Sequence, residues 1–255
     1  MDLKLSGKNV LVTGAGKGLG KAIGLAFADE GANVAFHYNS SAEGAEKAAA
    51  EAQERGVNAI AVGANLLDPA AVVAAVDQVK AELGPIDILV NNSAATQSKP
   101  FLETTEEDWA PQIGVTVAGT LRVTQAVAKQ MVAEGVQGSI VNLMGDSGRV
   151  GESRLLVTAT TRSTTVGLTK SLAKELARHK IRANAVSIAL VQTGSLAEHT
   201  GNADDEKMKR ILSAYPLRRF GTPDDVTPTI LLLASDLSSW TTGQVLSVNG
   251  GYAMP

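Results

Sequence analysis

The residues of this chain whose types and spacing most clearly imply chemistry are glycines. The run Thr13-Gly14-Ala15-Gly16-Lys17-Gly18-Leu19-Gly20 follows a short aliphatic stretch and opens a segment of helical period. In that setting glycines permit a tight turn and let the backbone approach a pyrophosphate, which rests on the unpaired N–H groups at the start of the helix. Taken alone, such a run is equally an ordinary flexible strand-to-helix loop; its place at the first strand of an alternating chain favours the phosphate-binding reading. The second apolar run ends in Phe36-His37-Tyr38-Asn39-Ser40-Ser41. Sites for NAD usually carry a carboxylate there to bond the ribose 2′-hydroxyl. This chain has none, and Lys17 with the hydroxyls of Ser40 and Ser41 can hold a 2′-phosphate, so the pattern favours NADP(H) over NAD(H). Lys17 on its own reads as a solvated surface lysine.

Other reactive side chains are sparse. The three histidines, His37, His179 and His199, show no metal-ligand pairing, and no metal is expected. His37 and His179 read as surface residues; His199 lies in a segment that could fold over a ligand. The run Gly145-Asp146-Ser147-Gly148 follows a strand and also reads as a plain turn. Without cysteine, the chain forms neither a disulfide nor a thiolate metal site nor a cysteine nucleophile.

The elements that must position these residues alternate. Short aliphatic runs at Asn9–Thr13, Asn33–Tyr38, Asn58–Val62, Ile86–Val90, Ser139–Leu143, Ala183–Ser187 and Gln244–Val248 read as strands. Helical periods fall near 18–30, 42–55, 69–83, 106–133, 154–178 and 223–235, the third opened by Asp68-Pro69 as N-cap and first-turn pair. The pattern predicts an α/β fold, a doubly wound parallel sheet of about seven strands with helices on both faces, Rossmann-type. With 255 residues, 44% hydrophobic, one large core and a single domain over 1–255 are expected. A net charge of −3, with both signs spread along the chain, gives no basic patch for nucleic acid. No stretch approaches the roughly 20 apolar residues that span a bilayer, and the start MDLKLSGKNV has no signal-peptide character. A soluble cytoplasmic protein with a small-molecule ligand is the expectation.

In combination, several segments resemble the short-chain dehydrogenase/reductase family over nearly the whole chain. They are the Thr13–Gly20 turn, Leu89-Val90-Asn91-Asn92, Gly138-Ser139-Ile140-Val141-Asn142, Gly167-Leu168-Thr169-Lys170-Ser171-Leu172-Ala173, Ile181-Arg182-Ala183-Asn184-Ala185-Val186, and Thr242-Gly243-Gln244 leading to Asn249-Gly250-Gly251-Tyr252. The resemblance implies a dinucleotide cleft formed by Gly14, Lys17, Gly18, Leu19 and Gly20 of the turn and by Tyr38, Asn39 and Ser40 after the second strand. Asn65, Leu66, Asn92 and Ser93 complete it, with Arg162, Val191 and Thr193 at the nicotinamide end. It also implies a substrate lid near 190–213 and a homotetramer, packed in part through the helix carrying Pro228 and the C-terminal strand.

Catalysis in that family uses an Asn, a Ser, a Tyr and a Lys. Alignment places Thr116, Gly145, Thr158 and Arg162 at those four positions, and no tyrosine lies between residues 39 and 214. Thr158 and Arg162, four apart on one helix, share a face and should look into the cleft. An arginine keeps the positive charge of the lysine but is a poor proton donor, and a threonine hydroxyl has no useful acidity near neutral pH. Three readings follow: an NADP(H)-binding oxidoreductase with a non-standard active site, a non-redox enzyme (lyase, isomerase or hydrolase) using groups such as Asp146, Ser147, Glu152 and Arg162, or an inactive cofactor-binding regulatory protein.

Overall fold

The computed structural model describes residues 2–193 and 205–254. Seven parallel strands form one sheet, β1 (Asn9–Val12), β2 (Asn33–Tyr38), β3 (Ala59–Gly63), β4 (Ile88–Asn91), β5 (Ser139–Gly145), β6 (Arg182–Ile188) and β7 (Val245–Val248), in the order β3-β2-β1-β4-β5-β6-β7. This is the expected Rossmann-type fold. Val10 pairs with Val34 on one side and Ile88 on the other, so the strand order reverses at β1. In open parallel sheets, the crevice beyond the strand ends at this reversal is where ligands bind.

Alternate strand residues feed two cores. Val10, Val12, Val34, Phe36, Val90 and Val141 pack under α1 (Gly18–Asp29), α2 (Ala42–Gln53) and α9 (Pro223–Ala234). Leu11, Ala35, Leu89 and Ile140 pack under α3 (Pro69–Leu83), α5 (Thr120–Ala133) and α7 (Leu156–Leu176). Both faces are covered, so the strands are apolar at nearly every position instead of alternating. Asp68 caps α3 as the sequence anticipates, its carboxylate accepting from the N–H groups of Ala70 and Ala71.

Two stretches differ from expectation. The continuous helix anticipated over 106–133 is α4 (Glu106–Gln112), a π-helical segment Ile113–Gly119, and α5. The interruption follows Pro111, which cannot donate the backbone hydrogen bond an α-helix requires at its position. The turn after β5 is a one-turn helix, α6 (Ser147–Val150). Within the anticipated lid, Asp205–Ser213 forms helix α8; His199 lies outside the described residues. Among the described residues, no helix is long and apolar enough to cross a membrane.

A polar ladder crosses the centre of the sheet. Asn91 Nδ2 on β4 donates to Thr124 Oγ1 on α5 and to Asn142 Oδ1 on β5, both at 2.9 Å, and Asn142 Nδ2 donates to Thr169 Oγ1 on α7 at 3.0 Å. Asn142 is 1% exposed. Replacing it strands buried polar atoms on both neighbours, each costing roughly 1–3 kcal/mol. Asn142→Leu should therefore destabilise the protein by about 2–4 kcal/mol in urea unfolding; a loss below about 0.5 kcal/mol would show the ladder to be energetically idle.

Candidate functional site

The site forms where the first strands end. Beyond β1 the chain turns through Gly14 at φ +64° and Gly18 at φ +56°, backbone conformations that glycine adopts without strain. The turn is braced from below. Gly14 N–H donates to His37 Nδ1 at 3.2 Å, Ala15 N–H donates to the His37 carbonyl at 2.7 Å, and His37 Nε2–H donates to the Ala64 carbonyl at 3.1 Å. Nδ1 accepts a hydrogen bond here, so the ring is the neutral Nε2–H form. Burial lowers the imidazole pKa from its ordinary 6.5, against a smaller opposing effect of the Ala64 carbonyl. His37 is 3% exposed: it is a buried brace, not the surface residue that its sequence context implies.

Neighbouring strands lock the turn from the side. Thr13 Oγ1 accepts from the N–H groups of Asn92 at 2.9 Å and Ser93 at 3.0 Å, while Asn92 Nδ2 donates to the Thr13 carbonyl at 3.0 Å. Helix α2 packs so closely that a Cβ on Gly44 would stand 2.1 Å from the Gly16 carbonyl oxygen. The N-termini of α1 and α2 therefore meet at one place, with Lys17 and Ser40 exposed beside them. Glu43, in the first turn of α2, is paired to Lys47 at 2.6 Å.

From this turn a cleft of about 810 Å³ runs along the sheet edge. Gly14, Lys17, Gly18, Leu19, Gly20, Tyr38, Asn39, Ser40, Asn65, Leu66, Asn92, Ser93, Arg162, Val191 and Thr193 all line it. So do Gly145, Thr158 and Arg162 of the four aligned reactive positions. Thr116 stands behind the wall in the π-helical segment, where its Oγ1 accepts from Ala95 N–H at 3.1 Å and donates to the Ala95 carbonyl at 3.4 Å. Thr158 borders the cleft, but its hydroxyl donates to Gln112 Oε1 at 2.5 Å and accepts from Gln97 N–H at 3.3 Å. Gly145 ends β5, and a Cβ there would meet only Ser147 Oγ, at 3.6 Å. Arg162 Nη2 donates to Thr96 Oγ1 at 3.3 Å, and among the described residues no carboxylate lies within ion-pair distance of it. Solvent enters the cleft beside this side chain, yet protein encloses it closely enough that desolvation pulls the guanidinium down to about 10.

The far end holds groups that sequence reading did not assemble. Asp146 is 1% exposed, not part of a solvated turn; it accepts hydrogen bonds from Ser187 Oγ and, at 2.6 Å, from Asn249 Nδ2. Tyr215 and Tyr252 stack with ring centroids 5.1 Å apart, and Tyr252 donates to Glu152 Oε1 at 2.7 Å. Burial raises both phenols, and for Tyr252 the Glu152 carboxylate that receives its proton adds to the rise. Both rings are thus held protonated. Glu152 and Tyr252 are 100 positions apart, a juxtaposition no local pattern could reveal. Thr96, too, carries no sequence signal.

A glycine turn at the switch point of a doubly wound parallel sheet, opening on a long cleft, defines a dinucleotide-binding α/β protein. Comparison with known proteins agrees and narrows the class. The sequence profile described as enoyl-(acyl carrier protein) reductase matches residues 14–253. The chain is 36% identical over 247 residues to the 3-oxoacyl-[acyl-carrier-protein] reductase FabG of Staphylococcus aureus, covering 97% of this chain and 98% of that one. It is 38% identical to the L-xylulose reductase of Bos taurus, covering 99% of each chain. A gluconate 5-dehydrogenase from Burkholderia cenocepacia, solved in complex with NADP and tartrate, superposes with a TM-score of 0.92 at 29% identity, covering 98% of this chain and 97% of that one. The chain belongs to the short-chain dehydrogenase/reductase family, and is an oxidoreductase of that family.

Because His37 has a lowered pKa in the folded protein, the unfolded chain binds more protons below pH 6.5. Stability linked to this group is complete above pH 6.5 and falls as the pH drops toward the lower, folded-state value. The His37→Leu variant should lose that part of the pH dependence in urea titrations between pH 7 and 5, and should bind the dinucleotide about tenfold more weakly, since Gly14 N–H loses its acceptor. An unchanged slope would refute the brace.

Proposed function

We propose that the chain is an NADP(H)-dependent oxidoreductase of non-standard active site, with Gly145, Thr158 and Arg162 at three of the four reactive positions and Thr116 behind the fourth. The observation carrying this reading is the form of the phosphate end. Two helix N-termini converge there with Lys17, Ser40 and Ser41, and β2 ends without a carboxylate. A 2′-phosphate gains from that field, whereas a site built for the 2′-hydroxyl of NAD usually carries an acid. The NADP-bound relative is consistent with the choice.

The bound cofactor would supply a hydride. The residues of the chain would do the rest: Lys17 and the turn hold the phosphates, the 93–96 backbone walls the nicotinamide end, and Arg162 presents a fixed positive charge to the substrate. Relatives of similar identity are named as reductases of 3-oxoacyl-[acyl-carrier-protein] and of L-xylulose, so relatedness alone selects no substrate.

One feature favours a second reading, a cofactor-binding protein without turnover: the hydroxyls of Thr116 and Thr158 are both committed to protein partners. The chain is also read as a soluble cytoplasmic homotetramer. Leu232 and Leu246 are 40% and 38% exposed on α9 and β7, the elements that pack between subunits in many family members, and Trp240 is fully exposed between them.

NADPH should raise the melting temperature more than NADH at equal concentration, by ligand linkage. The Ser40→Asp variant should weaken NADPH by at least about tenfold, through like-charge repulsion, and leave NADH nearly unaffected. Equal stabilisation by the two cofactors would sink the preference, and no stabilisation by either at millimolar concentration would sink the whole reading. Light scattering after size exclusion should give a particle of four 26.3 kDa chains; a monomer would remove the tetramer.

A further inference from the structure

Three side chains at the aligned reactive positions reach for one short segment. Thr116 holds Ala95, Arg162 holds Thr96, and Thr158 holds Gln97. The same segment is pinned from outside: Gln97 Nε2 donates to Asp108 at 2.8 Å, Lys99 pairs with Asp108 at 2.6 Å, and Lys99 N–H donates to the Arg154 carbonyl at 2.9 Å. Thr96 is held between these anchors and lines the cleft.

The polarity of its one hydrogen bond matters. Thr96 Oγ1 accepts from Arg162, at 3.3 Å, and a hydroxyl that accepts still has its own proton to donate. No acceptor takes that proton among the described residues. Arg162 has five N–H donors and spends one on Thr96. An O–H and a guanidinium therefore stand side by side on the same open cleft with donors to spare. The two hydroxyls at the aligned positions cannot serve, since Thr158 gives its proton to Gln112 and Thr116 gives its proton to Ala95.

We infer that Thr96 and Arg162 form a two-donor oxyanion site, which takes a substrate oxygen bearing full or developing negative charge. This rests on the proposed oxidoreductase reading insofar as the oxygen belongs to the compound being reduced, either its carbonyl or a neighbouring carboxylate. Fixed donors aimed at developing charge stabilise it without reorganisation. Neither group surrenders a proton: if a bound reduced nicotinamide dinucleotide supplied a hydride to the carbonyl carbon, the π electrons would pass to the oxygen, which would take a proton from solvent entering beside the exposed Thr96, the hydroxide so left passing to the bulk buffer.

Acetate is the binding probe, titrated by calorimetry into protein saturated with NADP⁺. The wild type should bind it saturably in the millimolar range; Thr96→Val should weaken it about five- to tenfold, Thr96→Ser should restore it, and Arg162→Met should abolish it, with NADP⁺ affinity for the Thr96 variants within about twofold of wild type. In steady-state assays with a reducible carbonyl compound, Thr96→Val should lower kcat about 10–100-fold with KM nearly constant if the held oxygen is the carbonyl. If it is a carboxylate, KM should rise and kcat should stay. Equal acetate binding by wild type and Thr96→Val, no saturable binding at all, or turnover indifferent to Thr96→Val each overturns the pair and leaves the oxidoreductase reading intact. Acetate binding that follows the expected order, with no carbonyl reduced, supports the pair and removes that reading instead.

Discussion

Parallel pairing of the seven strands is the constraint on which everything else depends. A parallel sheet in an α/β protein is covered on both faces, so its strands are apolar throughout and polar groups can gather only at the ends. All strands also point the same way, which brings the turns after β1, β2, β4, β5 and β6 to one edge. Residues as distant in sequence as Lys17, Ser40, Thr96, Gly145 and Val191 thereby line one cleft. Among the polar groups buried within the sheet, the Asn91–Asn142 ladder is tolerated because its amide donors find buried partners on β5, α5 and α7.

The two ends of the cleft are built on different principles. At the glycine turn the backbone does the binding, so the supporting side chains work from beneath: His37 and Thr13 fix where the N–H groups point, and Gly44 lets α2 approach the turn. At the opposite end side chains face the cleft directly, and most of their capacity is already used. Asp146 is engaged by Ser187 and Asn249, Tyr252 by Glu152, and Thr158 by Gln112 and Gln97. Arg162, by contrast, spends one of its five N–H donors on Thr96.

The sequence was legible where structure is local. Five of the six helical periods and all seven apolar runs correspond to single elements, the period over 106–133 being divided by the π-helical segment, and Asp68 is the N-cap its position beside Pro69 implies. The glycine turn announces itself because its function needs a contiguous backbone conformation. The reacting end announces itself poorly, because it is assembled by long-range contacts. His37 reads as a strand-end surface residue until β1 and β3 close on it, Thr158 reads as a cleft hydroxyl until Gln112 is seen to take its proton, and Tyr252 meets Glu152 only through the C-terminal strand. Thr116 misleads for another reason: the π-helical segment after Pro111 sets the local geometry, and its hydroxyl closes on Ala95.

The reacting end of the cleft is bordered by an arginine, Arg162. The desolvation that brings this guanidinium from 12.5 to about 10 leaves it fully charged at neutral pH. A lysine ammonium, by contrast, can lose its charge when buried. Arg162 is instead a permanent charge, and its planar fork favours oxygen pairs over single atoms. The phenols at the far end, raised by burial, keep their protons as well. The cleft thus sets a fixed positive charge beside the exposed Thr96, with the protonated phenols beyond it.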